Sequence, residues 1–223
     1  DDPVELSATP GREYWYTFRD DEGRGTQNED VTIDVEKISP TRFSSLPATA
    51  SDKLDDSNQA DYYQFSASKG DPMNVRLHES SGLIPQFHVL KKKNLEQVAS
   101  SREATTFQAP MTGEYVLKVE RDFNRSGNYT IGVEKVQPNS LGSIPAQKSD
   151  SLDRKPFPRW YSVPVDKGQA YITTLDDTGP DNFNRELRAY MPGNFKQIGA
   201  GDGQMQFRAR SDGKAWIAVF DGG

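Results

Sequence analysis

The sequence predicts an all-β protein made of tandem β-sandwich domains, jelly-roll-like in form, with minimal helix. Three observations predict it. Short segments alternate apolar and polar residues, clusters of Gly, Asn, Asp, Ser and Pro separate them, and a long internal repeat runs through the chain. No segment sustains a helical period. With 223 residues, 34% of them hydrophobic, the chain is long enough for two ordinary domains with small cores and polar loops.

The first element, "GREYWYTF" at 11–18, is followed by a glycine-containing turn and then by "VTIDVEKI" at 31–38. The second of these returns almost unchanged as "YTIGVEKV" at 129–136. Sliding the sequence by 98 residues aligns 31–77 with 129–175 without a gap, and seventeen of those positions are identical. The matches include Thr32, Ile33, Val35, Glu36 and Lys37 on Thr130, Ile131, Val133, Glu134 and Lys135, and Tyr63 on Tyr161. A period this long means duplicated domains rather than a short-repeat solenoid. The second copy then carries a longer loop, "DDTGPDNFNRE", after which the offset is 100, so that Asn94 meets Asn194 and Gly113 meets Gly213.

Within the first full copy, "DYYQFSA" sets Tyr63 and Phe65 on one face and Tyr62 and Gln64 on the other. "MNVRL" groups Met73, Val75 and Leu77, and "FHVL" groups Phe87 and Val89. "GEYVLKV" contributes Tyr115, Leu117 and Val119, and "NYTIGV" contributes Tyr129, Ile131 and Val133. These are the expected core residues, and the spacing of strands and turns is that of a β-sandwich.

The combined pattern "D-x-Y-x-F … KG … V-x-L … TG-x-Y-x-L-x-V … SGNYTI-x-V" resembles the bacterial pre-peptidase C-terminal domain, whose members include collagen-binding-type β-sandwiches. Its matching residues are Asp61, Tyr63, Phe65, Gly70, Val75, Leu77, Gly113, Tyr115, Leu117, Val119, Gly127, Tyr129 and Ile131, covering 61–136. The second copy keeps Tyr161, Gly168, Leu175, Gly213 and Val219 but has Arg159 in place of the aspartate. The resemblance implies a small sandwich found beside secreted peptidases and in large exported proteins.

Three regions follow. Residues 1–38 read as the C-terminal hairpin of an incomplete repeat, 39–137 as a complete sandwich, and 138–223 as a second sandwich lacking its closing strand. Three arrangements account for that phase. The chain is a window on a longer array, the first placed of the three; or its N-terminal hairpin fills a sheet of its own chain; or that hairpin completes the last sandwich of a neighbouring subunit. Head-to-tail exchange would propagate as a filament unless rotation closed it.

Composition excludes several function classes. The net charge of −6 argues against a nucleic-acid surface, and no run of residues reaches the length of a membrane span. The basic run Lys91, Lys92 and Lys93 reads as a solvated turn. The chain has no cysteine, which removes disulfides, thiol catalysis and Cys-ligated zinc. Catalytic motifs are absent as well: the two histidines, His78 and His88, stand on the polar faces of their strands, and "HESSG" is not a metalloprotease helix. The chain is therefore expected not to be an enzyme.

Two groups of binding residues stand out. Asp52, Asp55, Asp56, Asn58 and Asp61 form an oxygen-rich segment of the kind that suits calcium, and some collagen-binding relatives hold calcium near the start of the sandwich. This chain has "TRFSSLPATA" in place of their acidic, asparagine-rich lead-in, and its second copy has Arg154, Pro156 and Arg159 at three of the positions, so a solvated interdomain linker is the preferred reading and calcium the alternative; no other cofactor is expected. Trp15, Tyr62 and Trp160 are the candidate partner-binding aromatics, with Tyr62 and Trp160 at equivalent positions pointing away from the core. Contact between adjacent domains is the reading preferred for them, with glycan stacking the other. The expected function is surface recognition, adhesion or assembly by a secreted, periplasmic or cell-surface structural subunit with a protein partner. An accessory C-terminal region of a secreted peptidase, or a carbohydrate-binding module, is the alternative.

Overall fold

A computed structural model describes residues 38–79, 82–121, 125–150, 157–176 and 185–221. The described residues are all-β, with sixteen strands and no helix. The first sandwich contains β1 (Thr41–Arg42), β2 (Ala48–Leu54), β3 (Ala60–Ala67), β4 (Pro72–Glu79), β5 (Pro85–Lys91), β6 (Gln97–Ser101), β7 (Ala104–Gln108), β8 (Gly113–Arg121) and β9 (Gly127–Lys135). Its five-stranded sheet A has the order β1-β3-β8-β5-β6, and its four-stranded sheet B has the order β2-β9-β4-β7. All pairings are antiparallel except the short β1–β3 contact.

The period-2 alternation of the strands dictates how the sheets face each other. Sheet A turns Tyr63, Phe65, Phe87, Val89, Tyr115, Leu117 and Val119 inward, and sheet B answers with Leu54, Met73, Val75, Leu77, Phe107, Tyr129, Ile131 and Val133. Nearly all of these are fully excluded from solvent, so removing one would leave a cavity rather than a rearranged surface. Phe65 and Tyr115 stack at 5.5 Å between ring centres, a favourable offset contact inside that core.

The second sandwich contains β10 (Asn139–Ser140), β11 (Arg159–Val165), β12 (Ala170–Thr174), β13 (Arg185–Met191), β14 (Lys196–Asp202), β15 (Gln204–Arg208) and β16 (Gly213–Asp221). Sheet C, in the order β10-β11-β16-β13-β14, matches sheet A strand for strand. The correspondence extends to detail. The β5–β6 and β13–β14 turns hold Leu95 and Phe195, both with positive φ, and each strand pair carries a bulge, at Val89/Leu90 and at Ala189/Tyr190. Among the described residues, sheet D has two strands, β12 and β15, where sheet B has four. Among the described residues, no strand pairs with the side of β12 that corresponds to the β9 side of β4.

Residues 1–37, and with them Trp15 and most of the segment read as a hairpin, lie outside the described residues. In the complete repeat, β8 and β9, the strands that 11–38 resemble in sequence, belong to opposite sheets. Alternation locates strands but does not say which sheet each joins.

Candidate functional site

The oxygen-rich segment is not an interdomain linker. Asp52, Lys53 and Leu54 end β2 in sheet B, and Asp61 begins β3 in sheet A, so residues 55–59 form the crossing between the two sheets of one sandwich. Each carboxylate is engaged by groups of the chain itself. Asp55 Oδ1 accepts from the Ser57 hydroxyl at 2.6 Å and from the Ser57 and Asn58 amides, and its Oδ2 lies 3.1 Å from Lys53 Nζ. The Ser57 hydroxyl, with Lys53 beside it, holds the Asp55 carboxyl well below the usual carboxylate range. Asp56 pairs with Arg121 at 2.7 Å, and Asp52 caps the amide of Lys53. Asn58 Nδ2 donates to Asp61 Oδ1 at 2.9 Å. Among the described residues, no three His, Asp or Glu side chains gather as a metal-ion site.

Asp61 reaches instead into the sandwich. Tyr129 Oη donates to Asp61 Oδ2 at 2.5 Å, which leaves Tyr63 Oη, at 2.7 Å, as the donor to Tyr129. Burial, with the Asp61 charge adding to it, pushes the Tyr63 hydroxyl up to about 12, and Tyr129 is raised further by burial and by donating to Asp61. This chain of hydroxyls satisfies polar atoms that the core would otherwise orphan. The second sandwich solves the same problem differently. Arg159 stands where Asp61 would be, and Tyr161 Oη donates to Asp150 at 3.0 Å.

The histidines are not brought together. His78 is exposed near the end of β4 in sheet B, and His88 stands on the outer face of sheet A. There its Nδ1 bonds Gln97 Oε1 at 2.7 Å and its Nε2 bonds Glu120 Oε1 at 2.8 Å. Of the basic run, Lys91 pairs with Glu96 at 2.7 Å and Lys92 with Glu114 at 2.9 Å. These contacts are those of a pinned polar sheet face.

The arrangement most elaborately built lies between the sandwiches. Trp160 is 4% exposed and clusters with Val136, Tyr190, Ala218 and Phe220, with Trp216 packed alongside. Val136 follows β9 of the first sandwich, whereas the other members project from the outer face of sheet C. The outer faces of sheets B and C are thus pressed together. Trp160 Nε1 donates to Glu134 Oε1 at 3.1 Å, and Asn74 Nδ2 donates to the same oxygen at 3.0 Å. Asn74 is fully buried, and Thr106 Oγ1 donates to its Oδ1 at 3.3 Å. Arg188 is gripped by Glu186 through two bonds of 2.6 and 2.7 Å, and its guanidinium sits 4.9 Å from the Phe220 ring centre. Arg76 of the first sandwich approaches the same ring at 5.7 Å.

Glu134 is the electrostatic centre of this junction. Burial raises its carboxyl to about 7, against the opposing pull of the Trp160 and Asn74 donors and of Arg159. A cleft of about 210 Å³ beside it is lined by Asn74, Thr106, Arg188, Tyr190, Gln197 and Phe220. That is below the usual size of a small-molecule site, and its arginine is already neutralised by Glu186.

Of the three aromatic candidates, Trp160 is therefore enclosed between the sandwiches, Tyr62 is half-buried on the outer face of sheet A, and Trp15 lies outside the described residues. Glu134, Asn74, Tyr190, Trp216 and Phe220 were not singled out from sequence. A signal for the last three was present: outward positions occupied by Leu90, Val116 and Glu120 in the first copy become Tyr190, Trp216 and Phe220 in the second. Three aromatic gains on one outward face mark a face that is covered.

No protein-family model matches the sequence, and no curated protein matches it. Among solved structures, the chain is similar to the pre-peptidase C-terminal domain of the collagenase from Bacillus anthracis. The identity is 18% over 45% of this chain and 100% of that one, with a TM-score of 0.42. It is similar as well to a periplasmic inhibitor of g-type lysozyme from Aeromonas hydrophila, at 16% identity over 44% of this chain and 96% of that one, with a TM-score of 0.38. A turret protein of the Sulfolobus turreted icosahedral virus matches 80% of this chain and 98% of its own at 13% identity, with a TM-score of 0.26.

Proposed function

We propose that this chain is a non-catalytic, exported structural subunit whose two sandwiches are locked into one rigid unit and present their outer faces and edges to a protein partner. The observation that carries this reading is the junction. Two sheets bury Trp160, Tyr190, Ala218, Phe220 and Val136 against each other and commit Glu134 and Asn74 to hydrogen bonds across or beneath the contact. A flexible tether between independent binding modules would have no use for that investment of apolar surface, since weak, polar contacts are the default between domains that move. Placement outside the cytoplasm is supported by the sequence resemblance to exported sandwiches.

Backbone relaxation of the intact chain by NMR tests the reading. Both sandwiches are expected to share one rotational correlation time; two separate values would overturn it. Of the two aromatics put forward for glycan stacking, Tyr62 is half-buried and Trp160 is buried. Binding to a glycan array that disappears in Tyr62→Ala would favour that reading over the structural one.

A further inference from the structure

We propose that the junction between the sandwiches is a pH-operated contact: protonated Glu134 holds sheets B and C shut, and its ionisation draws water in and loosens them. This rests on the structural-subunit reading, because only a junction that is otherwise rigid has something to release. The first observation is the seat of the carboxyl. Glu134 leaves β9 on the outer face of sheet B, half-buried, and takes one donor from each sandwich: Asn74 Nδ2 at 3.0 Å and, across the junction, Trp160 Nε1 at 3.1 Å. Both donors reach the same oxygen, Oε1. A neutral carboxyl satisfies that arrangement, with its proton on Oε2 while Oε1 accepts twice. The donors are themselves held from behind. Asn74 is fully buried and takes Thr106 Oγ1 on its own Oδ1 at 3.3 Å, and the Trp160 ring lies 5.6 Å from that of Tyr190. Neither can follow a carboxylate out into water unless the sheets part.

The second observation is the set of charges around that seat. On β4, Arg76 faces Gly132, two residues along from Glu134, and His78 faces Thr130, four along and so ~13 Å away. On β2, Lys53 faces Asn128 and pairs with Asp55 at 3.1 Å. Lys135, next to Glu134 in β9, pairs with Asp71 at 2.7 Å. Sheet C brings Arg159 on β11, Glu186, Arg188 and Tyr190 on β13, and Lys214 near the start of β16. Arg188 is neutralised by its two bonds to Glu186, and burial keeps the Tyr190 hydroxyl above its ordinary value and so uncharged. Arg159 is the cation whose pull favours the ionised form of Glu134. Desolvation outweighs that pull and both N–H donors together, and the carboxyl is raised to about 7.

The third observation is a way in for water. The cleft of about 210 Å³ at the junction is lined by Asn74, Thr106 and Gln197 as well as by Arg188, Tyr190 and Phe220. It is roomy and polar enough to hydrate a carboxylate, which an apolar void would not be. The sign follows from the two states of the contact. In the open junction Glu134 returns towards its ordinary 4.5, whereas in the closed one it is raised to about 7, so the closed form binds the proton more tightly. The ratio of open to closed is therefore lowest below pH 4.5, climbs as pH rises to 7 and levels off above it, by at most about 300-fold in all. The subunit is stiffest in acid and loosest above neutrality.

Hydrogen exchange of the Trp160 indole N–H, followed by NMR and referred to free N-acetyltryptophanamide at each pH, tests the proposal on the unmodified chain. Its protection is expected to fall between pH 4.5 and 7, by at most about 300-fold, and to change little from 7 to 8.5. It is also expected to stay at least tenfold below that of the Leu117 amide, so that the junction opens apart from the core. Glu134→Gln keeps an acceptor without the charge and should flatten the profile to within about threefold. The chain has two histidines, the side chains that ordinarily change charge in this range. His88 lies on the outer face of sheet A, and His78→Gln, which removes the nearer one, should leave the profile as it is. Constant protection, protection that rises with pH, exchange of Trp160 in step with Leu117, an unchanged profile in Glu134→Gln, or a flat one in His78→Gln would each overturn the proposal. Constant protection in a chain that tumbles as one body would sink this inference alone. Two correlation times already at pH 4.5 would sink the structural-subunit reading with it.

Discussion

At the scale of single residues, Asp61 and Glu134 show two settings for a carboxylate in one sandwich. Asp61 sits at the rim and takes hydrogen bonds from Asn58 and Tyr129. Glu134 is buried between sheets, and desolvation outweighs its two N–H donors, so its carboxyl is raised to about 7. The sign of the pH effect follows. A carboxyl raised in the folded state binds its proton more tightly there than in the unfolded chain. Its contribution is fully favourable below about 4.5 and is lost as pH climbs through about 7. Glu134→Gln keeps an oxygen for Trp160 and Asn74 without the charge. Urea denaturation should show the wild type losing at most about 3 kcal/mol between pH 4.5 and 8 relative to the variant. A variant with the same pH profile as the wild type would refute this role. The carboxylates of the 52–61 segment are committed to Ser57, Lys53, Arg121, Asn58 and Tyr129, so millimolar calcium is expected to shift the melting temperature by less than a degree. A rise of several degrees, abolished by Asp55→Asn, would show instead that the segment opens to take the ion.

At the scale of elements, much of each strand was legible and its neighbours were not. Alternation in "DYYQFSA" was enough to send Tyr63 and Phe65 into the core and Tyr62 outward, and the same pattern placed Tyr115, Leu117 and Val119. The repeat carried that reading across to Tyr161, which the second core buries on β11. Sheet membership was hidden, because β8 and β9 alternate alike and yet face each other across the core. The partners of Trp160 were hidden for a related reason. Its outward direction could be read, but Glu134 and Asn74 lie on another sandwich and look in sequence like ordinary polar positions of exposed strand faces. Close packing leaves a further trace at Gly201 of β14, where a Cβ would stand 2.1 Å from the Gln204 carbonyl oxygen. That approach closes the β14–β15 corner, and Gly201→Ala is expected to destabilise the second sandwich selectively. The junction gives the sharper element-level prediction. Trp160→Ala removes the central ring of the Tyr190–Trp216 cluster and the donor to Glu134, and should cost about 3 kcal/mol in thermal unfolding. It should also split the single correlation time of the chain into two; a variant that tumbles as rigidly as the wild type would place the lock elsewhere.

At the scale of the whole molecule, the stack A, B, C, D is unevenly secured. Among the described residues, sheets A, B and C are bound on every central strand, and sheet D consists of a single strand pair. The side chains that β9 contributes to the first core have no described counterpart in the second, and hydrophobic stabilisation scales with the apolar area withdrawn from water. Stability should therefore fall along the stack. Hydrogen exchange of a dilute solution reads this directly, because amides report the free energy of the opening that exposes them. Amides of β12 and β15 are expected to exchange at least a hundredfold faster than those of β4 and β7, which occupy the same places in the first sandwich. Those of β3, β8, β11 and β16 should be among the last to exchange, since each is paired within a five-stranded sheet. Uniform protection of both sandwiches at low concentration would contradict the gradient itself, and with it the view that β9 is what makes the first sandwich the firmer of the two.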